Sequence, residues 1–217
     1  MKRYFFLCAI SLLTSLALTS PLQANTISYA GNLPLDDFVQ TFNFNVGSQG
    51  LVTFQTFGYA GGINGAGKPI AAGGFDPLVS LFDSAGDFIA FNNDGSCAQV
   101  GMDATTLNCF DVYLPLLLDA GSYTLALTEN DNLAVGPTFA DGFTQAGNGN
   151  FTCAEFMGTS GGFCDASPSR RSNAWALDIT TPATIPTTTP VPEPSTYALL
   201  LSGIGAFCAA RKRLLTN

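Results

Sequence analysis

The side chains best suited to chemistry in this sequence are oxygen ligands. Asp76, Asn92, Asn93 and Asp94 bracket one apolar stretch, and Asp103 and Asp111 follow shortly after. Carboxylates and amides on loops are what calcium takes, about six to eight oxygens at a time. Asp76, Asn92, Asp94, Asp103 and Asp111 are therefore the candidate calcium ligands, although no D-x-D-x-D-G loop with a distal Glu is present. The competing account is turn capping, because Asp and Asn also hydrogen-bond their own backbone in turns. Nucleophilic catalysis finds less support. A Ser or Cys nucleophile needs a base, the chain has no His, and Lys68 stands alone in a Gly-rich loop. The acids are spread over turns rather than paired as in glycosidases. A non-enzymatic protein is expected, with no cofactor other than calcium.

Six cysteines are present. Cys8 and Cys208 lie in apolar end segments, leaving Cys97, Cys109, Cys153 and Cys164. Four cysteines allow three connectivities, and spacing does not choose among them. The local pairs Cys97–Cys109 and Cys153–Cys164 are expected because each closes a loop rich in Gly, Asn or Ser. Zinc is the rival, but neither a CxxC pair nor a His supports it.

Charge excludes one class of partner. Between Asp36 and Asp178, Lys68, Arg170 and Arg171 face fifteen acidic residues. Such a surface repels phosphate backbones, so nucleic acid is not a partner.

The elements that must position these residues are strands. Phe38, Phe42, Phe44 and Val46 alternate with Thr41, Asn43 and Asn45, the period of a half-buried strand. Gly47 to Gly50 makes a turn, and Leu51 to Phe57 reads as its partner strand. Leu78–Phe82 and Phe88–Phe91 flank Asp83-Ser84-Ala85-Gly86 as a hairpin, and Val112–Leu118 with Tyr123–Thr128 reads as another. Trp175, Leu177 and Ile179 alternate in a last strand, and no amphipathic helix is evident between Asn25 and Ile179. Seven or so short strands separated by turns imply an all-β, two-sheet antiparallel β-sandwich.

The ends differ from this middle. Lys2 and Arg3, the apolar run Phe5 to Leu18 and Leu22-Gln23-Ala24 have the layout of a secretory signal peptide, residues 1–24, with signal peptidase cleaving after Ala24. The domain then spans 25–180, and a Thr/Pro-rich linker spans 181–190. Residues 191–217 hold Val191-Pro192-Glu193-Pro194-Ser195, an apolar stretch from Tyr197 to Ala210, and the basic cluster Arg211-Lys212-Arg213. As a helix that stretch would reach about 21 Å, short of a hydrocarbon core of about 30 Å. It reads as a short, transient transmembrane helix in the inner membrane, its basic end cytoplasmic by the positive-inside rule.

This tail resembles the PEP-CTERM sorting signal of Gram-negative bacteria: the VPEPS motif, the short apolar helix and the RKR tail stand in order. The resemblance implies an exosortase as processing partner, and a final location at the cell surface, outer membrane or extracellular matrix. Carriers of the signal are typical of bacteria that make exopolysaccharide and biofilm.

A second resemblance covers about Asp37 to Ile179. FDPLVSLFDSAGDFIAFNNDG (Phe75 to Gly95) and LPLLLDAGSYTLALTENDN (Leu114 to Asn132) are similar to the bacterial pre-peptidase C-terminal (PPC) domain, a jelly-roll-like sandwich. The cysteine pairs lie outside that pattern. Together the two resemblances imply a structural or adhesive surface protein associated with exopolysaccharide. The alternative is a calcium-dependent or carbohydrate-binding module, with Tyr59, Phe139, Phe143 or Trp175 stacking on sugar rings.

Overall fold

Period-2 alternation of Phe, Val, Leu and Ile builds the domain. The computed structural model describes residues 24–183. In chain order the elements are β1 (Asn25–Asn32), β2 (Gln40–Val46), β3 (Gly50–Thr56), β4 (Gly62–Ile63), β5 (Pro69–Ile70), β6 (Pro77–Phe82) and β7 (Phe88–Asn92). There follow α1 (Cys97–Val100), β8 (Tyr113–Leu118), β9 (Gly121–Glu129), α2 (Phe151–Met157), β10 (Phe163–Asp165), β11 (Ser169–Arg171) and β12 (Ala174–Thr181).

Two four-stranded antiparallel sheets form a sandwich. One has the order β1-β12-β3-β8 and the other β2-β9-β6-β7, while β4–β5 and β10–β11 are small ribbons in the loops. Phe42, Phe44 and Val46 face inward from β2, as their alternation requires, and meet Val52 and Phe54 of β3 and Leu177 and Ile179 of β12. Edge-on aromatic pairs tie the sheets, with Phe44 to Phe54 at 5.5 Å and Phe42 to Trp175 at 5.4 Å between ring centroids. Each fully buried Phe or Leu of this kind contributes about 1.5–3 kcal/mol over exposure.

Strand β6 is buried at all six positions. Its outer face is covered too: Phe82 and Ala126 pack with Phe143, Phe139, Ala134 and Val39 in a second, smaller cluster. A strand covered on both sides has no polar face to present, which is why Leu78 to Phe82 shows an almost unbroken apolar run.

Several expectations need correction. β2 and β3 are not partners: β2 pairs with β9, and β3 lies between β12 and β8 in the other sheet. β8 and β9 likewise belong to different sheets, so their connection is an arch and not a hairpin turn. Only β6–β7 is a true hairpin of the two expected. Phe38 lies outside β2 and is 42% exposed. β1, unexpected from its mixed sequence, pairs along its full length with β12, from Asn25 opposite Thr181 to Asn32 opposite Ala174. Two short α-helices also appear, α1 and α2, each carrying one cysteine of a disulfide.

The signal peptide (1–24, all but Ala24) and the tail (191–217) lie outside the described residues. Among the described residues no helix is long and apolar enough to cross a membrane.

Candidate functional site: the acidic end of the sandwich

The loops that hold most of the buried acids gather at one end of the sheets, braced by two disulfides. Cys97 is bonded to Cys109 and Cys153 to Cys164, the two local pairs. The first closes the loop that carries Asp103, and the second joins α2 to β10, beside Asp165. A buried Asp36 accepts hydrogen bonds from the Thr152 backbone and hydroxyl, both at 2.8 Å, and so anchors the start of α2.

Arg171, from β11, lies between these loops. Its guanidinium is 3.4 Å from Asp103 Oδ1 and 3.6 Å from Asp165 Oδ2, and it donates to the Gly74 and Tyr59 carbonyls at 2.8 and 2.9 Å. It also covers the Tyr59 ring at 3.9 Å. Burial pushes the Asp103 carboxyl up, but hydrogen bonds from Thr106 and the charge of Arg171 outweigh it and hold the group below the usual carboxylate range. Asp111 accepts from Thr56 Oγ1 and from the Tyr59 and Ala60 amides. Burial still pushes it up. The carboxylates of Asp103 and Asp111 are thus engaged by protein donors, and the charge of Asp111 also acts on Asp76.

Asp76 lies within reach of the Asp94 charge, and Asn92 ends β7 opposite Val79 of the same hairpin. Asp76 is 2% exposed and immediately precedes β6. Burial first, and the charge of Asp94 next, push its carboxyl up to about 9. Sequence reasoning missed Glu129, which feels the Asp76 charge. It ends β9, is wholly buried, and is held well above the normal range by desolvation and then by the Asp76 charge. The available signal was its position: Glu129 continues the inward row Leu125, Leu127, where an apolar residue would otherwise be expected.

The aromatic residues proposed for sugar stacking are committed to packing. Tyr59, Phe143 and Trp175 are buried, and Phe139 packs edge-on against Phe82 and Phe143. Four surface depressions are lined mainly by Gly, Ala, Asn and Thr, with no convergent catalytic groups.

Known proteins add two findings. Residues 190–213 match the PEP-CTERM protein-sorting motif. The chain therefore carries a motif that implies export, processing by an exosortase, and a cell-surface or extracellular destination. The fold is also similar to the crystal structure of the pre-peptidase C-terminal domain of collagenase from Bacillus anthracis. That likeness has 11% identity and a TM-score of 0.31, and covers 72% of this chain and 86% of that one. No curated protein sequence matches the chain.

Proposed function

We propose that this chain is a non-enzymatic surface or biofilm-matrix protein with a structural or adhesive role in exopolysaccharide. The match of residues 190–213 to the sorting motif carries the reading. In it, signal peptidase removes residues 1–24 and exosortase acts at Val191-Pro192-Glu193-Pro194-Ser195. Arg211, Lys212 and Arg213 hold the tail on the cytoplasmic side until that cut is made. The domain of residues 25–180 then stands on the linker of residues 181–190. Support for a structural role comes from its construction: two disulfides and a buried ion-pair network suit a protein that persists outside the cell.

The test uses the processed protein recovered from its producer, applied to that producer's own exopolysaccharide. Retention at both low and high salt is the expected result. Complete flow-through under both conditions would remove the matrix role.

A further inference from the structure

Four buried oxygens at the acidic end have no hydrogen-bond partner: Glu129 Oε1 and Oε2, Asp76 Oδ1 and Asn92 Oδ1. All four are acceptors. Asp76 Oδ2 fares little better, receiving one long contact of 3.4 Å from Asn130 Nδ2. Leaving buried acceptors unpaired is costly, and leaving buried carboxylates unpaired is more so. Such a set calls for a positive charge.

The sheet register puts Glu129 and Asn92 on one face, and Asp76 lies near enough for its charge to act on Glu129. Glu129 stands opposite Pro77, while Val79 stands opposite both Leu127 and Asn92. Side chains two apart on a strand share a face, so Glu129 and Asn92 point inward with Val79 and Leu127, at the end of the core. Asp76 adjoins Pro77, and its carbonyl accepts from the Asn130 amide at 2.8 Å, which fixes the chain there. Asp94 follows β7 by two residues, close enough for its charge to act on Asp76. Asp94 is exposed, and so lies at the mouth of this group.

We propose that Glu129, Asp76 and Asn92 bind one calcium ion, with Asp94 at the entrance. Among the described residues no three acidic, His or Cys side chains already converge on a point. Neutral oxygens must therefore complete the set, and Asn92 Oδ1 is one. The donors are all hard oxygens, since the chain has no His and the four domain cysteines are in disulfides. That selects calcium over zinc. Magnesium is disfavoured because it demands near-ideal octahedral geometry and gives up its water reluctantly, whereas calcium accepts an irregular oxygen set. Two buried carboxylates match the charge of one divalent ion. The inference is independent of the matrix role and concerns the domain alone.

The test uses the full chain in mild detergent, with native mass spectrometry and thermal unfolding in about 10 mM calcium chloride against EDTA. One calcium per chain is expected. With a dissociation constant of about 10⁻⁴ M, within the range of extracellular modules, Tm rises by about 5 °C or more. Glu129→Gln abolishes binding, while its Tm in EDTA matches or exceeds the wild type's, because a buried charge is gone. Asp94→Asn, an exposed change that leaves the fold intact, weakens calcium binding at least about tenfold and keeps the test decisive if Glu129→Gln fails to fold. Identical wild-type curves in calcium and EDTA, with no calcium in the mass, would overturn the site. Equal stabilisation of wild type and Glu129→Gln would also overturn it, by placing the ion elsewhere.

Discussion

Arg171 Nη1 sits 3.4 Å from Asp103 Oδ1, with both side chains 3% exposed. This buried contact joins the ribbon β10–β11 to the loop closed by Cys97 and Cys109. Arg171 satisfies two carboxylates and two carbonyls at once.

Replacing it breaks all of these contacts together. Arg171→Met leaves Asp103 and Asp165 buried without a counter-charge and should cost about 3–5 kcal/mol of unfolding free energy. Arg171→Lys should recover only part, since an ammonium cannot reproduce the planar fork that spans Gly74, Tyr59 and the two acids. Urea unfolding of each variant measures this. A loss below about 1 kcal/mol would mean the network is incidental.

The same contact sets a pH dependence. The folded-state pKa of Asp103 is lowered, so its stabilising contribution is present above the unfolded value of about 3.9 and is lost as pH falls through the folded value. Asp103→Asn should therefore destabilise the domain fully at pH 7, and the gap from wild type should narrow below about pH 4. Unfolding midpoints between pH 7 and pH 3 measure the gap. A constant difference across that range would exclude the mechanism.

Each disulfide closes a short loop, with sequence separations of 12 and 11. The chain-entropy model gives about 3 kcal/mol for loops of about this size. A Cys153→Ser/Cys164→Ser double variant should lose about 2–4 kcal/mol, and dithiothreitol, which opens both disulfides, should cost the wild type more. Unchanged unfolding curves under reduction would show that the hydrogen bonds of Asp36 hold α2 without help.

Gly74 offers a backbone test. It bridges to Ser172, and a Cβ at this position would run into the carbonyl oxygens of Ala174 and Gly58. Gly74→Ala should cost several kcal/mol, because backbone on both sides must move. Thermal unfolding would report it, and a Tm within about 2 °C of wild type would contradict this packing.

Much of the sandwich was legible because alternation states which side chains point inward. Phe42, Phe44 and Val46 do so, as do Leu177 and Ile179. Alternation does not say which strand pairs with which. β2 and β3 both aim apolar side chains at one core, and strands facing each other across a sandwich show the same pattern as strands side by side. A short connection favours the hairpin reading, and here two short connections are arches. β1 escaped notice because Ser28, Ala30 and Gly31 dilute its pattern, although its backbone pairs fully with β12. At the acidic end, Asp76, Asn92 and Asp94 were visible as a hairpin's ends. Asp103 and Asp111 look like free loop carboxylates in the sequence, which does not show Arg171, Thr56 and the Tyr59 amide engaging them. Glu129 was hidden by its neighbours Asn130 and Asp131, which made it read as part of a polar turn.

The central claim is that residues 1–24 export this protein and that the tail matched at residues 190–213 is then processed. The most direct measurement is intact mass with cell fractionation of the native protein from its producer, beside a Glu193→Ala variant. The account predicts a wild-type mass lacking residues 1–24 and the tail beyond Pro192-Glu193-Pro194, with the variant keeping its tail in the inner membrane. If both retain the tail and stay in the inner membrane, the sorting account is wrong.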